Sequence, residues 1–249
     1  MLFIKILWPR YFAMKNTVVS IIIPTYNEGK TLRMAVARVQ KAPSLGLKKQ
    51  IIIVNDGSLD HTKRLLKTFT ARNVHTFSHA KNQGKGAAVH TGLKHAIGSF
   101  VIIQDADLEY DPSDYPALLK PLIDGLADVV YGSRFIGNKP HRVLYFWHYV
   151  ANRALTIFSN MFTNLNLSDM ETGYKAFRAP TIKSIAPRLR SKGFGFEPEV
   201  TARLAKIPNI RIAEVGISYW GRTYIEGKKI SWKDGVRAIG QIVYYHLIQ

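Results

Sequence analysis

Short runs of β-branched residues, each closed by a polar or glycine-rich turn, set the strongest limit on what this chain can fold into. Val18–Ile23, Gln50–Val54, Phe100–Gln104 and Asp128–Tyr131 are such runs, and Val74–Phe77 reads as a weaker strand. Continuous apolar stretches of this length belong to strands covered on both faces. Between them the apolar residues repeat with helical spacing. Leu32, Ala35, Val36 and Val39 share one face of a helix over Thr31–Val39. Asp60 can cap a helix carrying Leu65, Leu66 and Phe69, the turn Asn82-Gln83-Gly84-Lys85-Gly86 opens another to His95 or Ala96, and Asp114–Leu126 is helical. Strands and helices alternating through short loops predict an α/β fold, a mostly parallel sheet flanked by helices.

In open sheets of this kind, ligands bind beyond the carboxyl ends of the strands. Those ends are chemically rich here: Tyr26, Asn27 and Glu28; Asn55 and Asp56; Asp105 and Asp107; Ser133 and Arg134. The acids Asp105, Asp107 and Glu109 fall at alternate positions, which in extended chain share a face. Three crowded carboxylates repel unless a cation lies between them, and hard divalent ions such as Mg2+ and Mn2+ prefer carboxylate oxygen. For an isolated Asp-x-Asp, a solvated acidic loop is the commoner explanation, because short motifs misfire often.

Composition narrows the partners. Lys and Arg outnumber Asp and Glu 35 to 17, a net charge of +18 over 249 residues. That balance favours an anionic partner: nucleic acid, an acidic membrane face or a phosphorylated substrate. With no cysteine, disulfides, zinc-thiolate sites and cysteine nucleophiles are excluded. The histidines lack HExxH spacing and there is no GxSxG elbow. NQGKGAA (Asn82–Ala88) lacks the full phosphate-loop pattern, though Lys85 at a helix start can approach an anion. The first residues, apolar but broken by Lys5, Pro9 and Arg10, read as an extension or interfacial anchor, with no signal peptide or spanning segment expected. Beyond about Gly137 the texture changes: Val143–Leu167 is aromatic and helical, Phe194–Ala205 carries Glu197 and Glu199, Ile210–Ile217 is a strand and Gly235–Leu247 a terminal helix.

The front half resembles an inverting glycosyltransferase of family 2 with the GT-A, Rossmann-like fold. The resemblance is carried by SIIIPTYNE (Ser20–Glu28), IIIVNDGSLD (Ile51–Asp60), NQGKGAAVHTG (Asn82–Gly92), IIQDADLEY (Ile102–Tyr110) and VVYGSR (Val129–Arg134). DMETGYKAF (Asp169–Phe177), GFGFEPE (Gly193–Glu199) and GRTYIEGKKISWKDG (Gly221–Gly235) extend it to the branch containing dolichyl-phosphate mannose synthase and related polyprenyl-phosphate glycosyltransferases. It implies that Pro24, Tyr26 and Glu28 line the nucleotide pocket and that Asp56 contacts the base. It places Asp105 and Asp107, with Glu109 where relatives often carry Gln, at a metal–diphosphate site. Asn55 stands where an Asp is frequent. Arg134, Arg153 and Arg222 match basic positions near the donor or acceptor phosphates, and Lys228 and Lys229 follow Arg222 closely.

The resemblance also implies a reaction. A hexose, mannose or glucose, passes from a GDP- or UDP-sugar to a polyprenyl or dolichyl phosphate, with Mg2+ or Mn2+ at the diphosphate. A phosphate monoester has its second pKa near ~6 and is already ionised at neutral pH. It needs arginines to place it rather than a base. A sugar hydroxyl acceptor would instead need a carboxylate base, with Asp169, Glu171, Glu197 and Glu199 as candidates. A basic nucleic-acid binder would explain the charge but leaves the acidic triplet without a purpose, so no nucleic acid is expected. A nucleotidyltransferase on the same fold would not call for GRTYIEGKK. The expected organisation is a single domain: residues 1–17 an extension, 18–136 a nucleotide-sugar half, and 137–249 an acceptor half. In the acceptor half, Val143–Leu167 and the terminal helix meet an anionic membrane peripherally at its cytoplasmic face.

Overall fold

The computed structural model describes residues 17–143, 145–191, 193, 195–223, 226 and 232–247. Residues 1–16 of the expected extension lie outside the described residues, as do Lys228 and Lys229. The strands are β1 (Val18–Thr25), β2 (Lys48–Asn55), β3 (Val74–Ser78), β4 (Phe100–Ile103), β5 (Val129–Ser133), β6 (Lys175–Arg178) and β7 (Ile212–Gly216). They form one sheet in the order β3-β2-β1-β4-β6-β5-β7. The helices are α1 (Leu32–Lys41), α2 (Thr62–Leu66), α3 (Lys85–His95), α4 (Tyr115–Ile123), α5 (Phe146–Thr163), α6 (Ala179–Ile185), α7 (Phe196–Ala205) and α8 (Trp232–Leu247).

The unbroken β-branched runs follow from burial on two sides. Along β1, Ile21 and Ile23 face a core with Leu32, Val36 and Val39 of α1 and Leu118 of α4. Ile22 between them faces a second core with Val89 and Leu93 of α3 and Val200 of α7. Each fully buried Ile of this kind contributes ~1.5–3 kcal/mol. Helix α3 lies so close to β1 that a Cβ on Gly92 would run into the Ile22 side chain. A Gly92→Val change would force the two apart.

Two elements depart from the expectation. Strand β6 pairs antiparallel with both β4 and β5, Ala176 lying opposite Ile102 on one side and Val130 on the other. Its four residues include Lys175, a charge that does not read as strand interior. The ammonium is nonetheless buried and bonds the carbonyl oxygens of Met170 and Thr172. Helix α2 stops at Leu66, leaving Phe69 outside it but packed on the core. Asp60 accepts from the Thr62 amide at 3.0 Å, so it does serve the start of that helix.

The chain runs from β1 outward to β2 and β3, then returns to place β4 on the other side of β1. This reversal is the topological switch point, where a crevice opens past the strand ends. The β1–β4 ladder ends at Ile22 and Ile103. β1 continues through Pro24, whose missing N–H falls past that last pair, where a proline is tolerated.

Candidate active site

The switch-point crevice is walled by the segments leaving β1 and β4. Tyr26 and Glu28 follow β1, with Asn27 at φ 54° turning the chain. Beyond β4 the three acids do not lie on extended chain, which corrects the alternate-face argument. The strand ends at Ile103, and Asp105 to Leu108 form a turn with Leu108 at φ 67°. The turn lets the Glu109 amide donate to Asp107 Oδ1 at 3.2 Å. Burial pushes the Asp107 carboxyl up to about 7, with Asp105 and Glu109 adding to the shift and Arg222 opposing it.

Arg222 closes the crevice from the back half. Its guanidinium lies 3.2 Å from Asp107 Oδ2, 3.4 Å from Glu28 Oε1 and 3.4 Å from Glu109 Oε1. Its amide also donates to Glu109 Oε1 at 2.8 Å, and the Tyr219 hydroxyl donates to Glu109 Oε2 at 2.7 Å. Three carboxylates from two separate segments thus converge on one cation. The donor set is all hard oxygen, which suits Mg2+ or Mn2+ in kind. In place it is different: among the described residues no three or more such side chains are close-set enough to hold a metal ion. The expected trio of Asp105, Asp107 and Glu109 is divided. Arg222 holds the last two, with Glu28, while Asp105 turns to Lys85.

Lys85, the first residue of α3, reaches Asp105 at 2.9 Å and Glu197 of α7 at 3.0 Å. Burial works against its charge, but those two carboxylates hold the ammonium well above its ordinary pKa. Beside this pair Glu171 is pushed up to about 8 by burial and by Glu197, with Lys175 and Arg134 opposing. Both halves of the chain therefore build one crevice.

Other candidates turn inward. Asp56 is 2% exposed, and its carboxylate accepts from the Gln83 amide at 2.9 Å and the Gly84 amide at 2.6 Å while contacting His79 Nδ1 at 2.6 Å. It fixes the loop before α3 rather than presenting a free carboxylate to a base. Arg134 makes a two-pronged bond to buried Asp169, 2.7 Å at each prong, and lies over the rings of Phe135 and Tyr219. That bond removes Asp169 from the candidate bases. Glu199 leaves too, for it accepts from the amides of Arg190 and Ser191 and pairs with Arg203. Arg153 has no carboxylate partner among the described residues; it donates to the Ser168 carbonyl at 3.1 Å and stays half-buried. Tyr110 and Tyr219 escaped the sequence reading. Tyr110 donates no sequence signal beyond its place beside Glu109, yet its hydroxyl accepts from the Gly173 amide at 2.9 Å.

Helix α5 presents an exposed apolar stripe. Trp147, Ala151, Ala154, Ile157 and Met161 recur at helical spacing, Trp147 and Met161 each 76% exposed. The stripe spans roughly 21 Å at the helical rise. No described helix is long and apolar enough to cross a membrane.

Known proteins share this sequence and shape. The chain is 32% identical over 219 residues to undecaprenyl-phosphate mannosyltransferase of Micrococcus luteus, covering 83% of this chain and 85% of that one. It is 28% identical to the UDP-N-acetylglucosamine–dolichyl-phosphate N-acetylglucosaminyltransferase of Methanococcus voltae, over 82% and 86% of the two chains. Its fold superposes on glucosyl-3-phosphoglycerate synthase of Mycobacterium tuberculosis, solved with Mn2+, UDP and glucosyl-3-phosphoglycerate. The TM-score is 0.73 at 18% identity, over 96% of this chain and 84% of that one. The glycosyl transferase family 2 model matches residues 20–185, two thirds of the sequence and every segment leading into the crevice except that of Glu197 and Arg222, and the chain belongs to that family.

Proposed function

We propose that this glycosyltransferase moves a hexosyl group, mannose or glucose, from a GDP- or UDP-sugar to a polyprenyl phosphate at the cytoplasmic face of a membrane. The observation that carries the reading is the convergence of Glu28, Asp107 and Glu109 on one cation at the switch point. A nucleotide diphosphate cannot approach three bare carboxylates, so the set makes sense only with positive charge between them. Relatives named for undecaprenyl- and dolichyl-phosphate acceptors support the lipid phosphate.

The residues divide the work. Pro24 and Tyr26 line the nucleotide side, with Asp56 holding the Gln83–Gly84 loop against it. Asp105, Asp107 and Glu109 would hold Mg2+ or Mn2+ once Arg222 and Lys85 release them. Bound there, the ion supplies neutralisation of the diphosphate leaving group. Arg222, freed, turns its guanidinium to phosphate oxygens, and Lys85 at the start of α3 supplies a second cation. Arg153, without a carboxylate partner among the described residues, places the acceptor phosphate. One acceptor phosphate oxygen attacks the anomeric carbon, the bond from that carbon to the diphosphate breaks, and the configuration inverts. The ionised phosphate brings its own electron pair, so no protein base is required. Arg134 and Asp169 brace the wall from which Arg153 projects. The exposed stripe of α5 rests on lipid; residues 18–136 form most of the donor side and 137–249 the acceptor side, with Glu197 and Arg222 reaching back into the donor crevice.

A thermal-shift panel of GDP- and UDP-sugars with and without Mn2+ tests this reading. One nucleotide class is expected to raise the melting temperature in a metal-dependent way, because a ligand stabilises the state it binds. No shift with any nucleotide sugar contradicts it.

A further inference from the structure

Resting on the glycosyltransferase reading, we infer that Glu171 reads the hydroxyl pattern of the donor hexose, through a carboxyl oxygen buried without a partner in the wall behind Asp105. The segment from Glu171 to Gly173 abuts the diphosphate side of the crevice. The Gly173 amide donates to Tyr110, and a Cβ on Gly173 would run into the Asp105 carboxylate. Glu171 Oε1 is shut from solvent and makes no hydrogen bond among the described residues, while the residue as a whole stays partly exposed. Buried polar atoms in folded proteins nearly always find a partner, so an orphan calls for an explanation.

The charged neighbours able to satisfy it are already committed. Arg134 is held by Asp169, Lys85 by Asp105 and Glu197, and Lys175 by the carbonyl oxygens of Met170 and Thr172. The missing partner is therefore not one of the surrounding charged side chains. Its chemistry follows from the surroundings. An anion would meet both Glu171 and Glu197, and a cation would meet Lys85, Lys175 and Arg134. A neutral hydroxyl donor suits the position, and the sugar attached to a diphosphate at Asp105 supplies several. With its carboxyl pushed up to about 8, Glu171 can also donate a proton to a sugar oxygen at neutral pH. A site built to bond a hydroxyl strongly rejects the analogue that lacks it.

Titration calorimetry with Mn2+ on wild type, Glu171→Gln and Glu171→Leu decides the matter. The probes are the nucleoside diphosphate, its hexose conjugate and the matching deoxyhexose conjugates. Wild type and both variants should bind the diphosphate alike. The Leu variant should lose ~10–100-fold in affinity for the hexose conjugate, together with its preference over one deoxyhexose. The Gln variant should fall between. The Leu variant should also melt no lower than wild type, because it removes an unpaired buried polar atom. An unchanged ratio of hexose-conjugate to diphosphate affinity overturns the inference, as does a drop in melting temperature with that ratio intact, which marks a structural or water-filled position. If wild type fails to bind the diphosphate at all, the glycosyltransferase reading falls and takes this inference with it.

Discussion

Replacing Arg222 by Gln removes the cation on which three carboxylates converge. Each guanidinium–carboxylate pair lies at 3.2–3.4 Å. At an effective dielectric near 20, unit charges about 4 Å apart interact by ~4 kcal/mol. The mutual repulsion of Glu28, Asp107 and Glu109 offsets much of that attraction while the arginine is present, and stands unopposed when it is gone. The Arg222 side chain is 20% exposed, so solvent screens the pairs. The expected net loss is ~1–2 kcal/mol of folding stability, nearer a surface pair than a buried one. Urea unfolding in EDTA and in Mn2+ at fixed ionic strength measures it. In EDTA the variant should be less stable than wild type, and Mn2+ should stabilise the variant more, because no guanidinium competes for the carboxylates. The pH dependence has a definite sign. Burial holds the folded Asp107 carboxyl up at about 7 against an ordinary 3.8, so the folded chain binds more protons across that window and this group makes stability fall as pH rises through it. The Arg222→Gln penalty should therefore be larger at the top of the window than at the bottom. Equal stability of the two proteins in EDTA, or an identical Mn2+ effect on both, would refute the reasoning.

Three further outcomes are expected. Asp107→Ala should abolish transfer while unfolding in EDTA no earlier than wild type, since it removes a repelling charge; near-normal turnover at limiting Mn2+ would contradict its role. Glu199→Gln should cost ~3 kcal/mol in urea unfolding, because it breaks a buried pair with Arg203 and weakens bonds to two amides; undiminished stability with lost turnover would return it to the candidate bases. Sedimentation with vesicles should show binding that strengthens with anionic lipid and weakens with salt, and Trp147→Ser with Met161→Ser on the exposed α5 stripe should reduce it. Equal partitioning of wild type and double variant would detach that helix from the membrane.

The sheet was legible because its code is local. β-branched runs mark the strands, and Pro24, Asn55 and Gly132 lie within one residue of their ends, without reference to anything distant. The crevice followed from the same pattern, since strand order places the polar ends together. What stayed hidden depends on long-range pairing. Lys175 looks like surface in sequence, and only the antiparallel insertion of β6 between β4 and β5 shows why its ammonium can bond local carbonyl oxygens. Asp169, Glu171, Glu197 and Glu199 were indistinguishable as a class of acids. Their partners, Arg134, none for one Glu171 oxygen, Lys85 and Arg203, separate them, and two of those partners lie more than thirty residues away in the chain. The acidic triplet was found for a partly mistaken reason: residue spacing suggested extended chain, whereas a turn with Leu108 at positive φ brings Asp107 and Glu109 to Arg222.

The most direct test of the central claim is transfer from a labelled nucleotide-diphosphate hexose to a short polyprenyl phosphate, set beside transfer to free sugars, for wild type and Arg153→Lys. Lysine keeps the charge but loses the planar fork that grips phosphate. The account predicts efficient wild-type transfer to the lipid phosphate with inversion, little to free sugars, and a selective loss of lipid-phosphate transfer in the variant while donor binding holds. Preferential transfer to a free sugar hydroxyl, with Arg153→Lys unaffected, would contradict it.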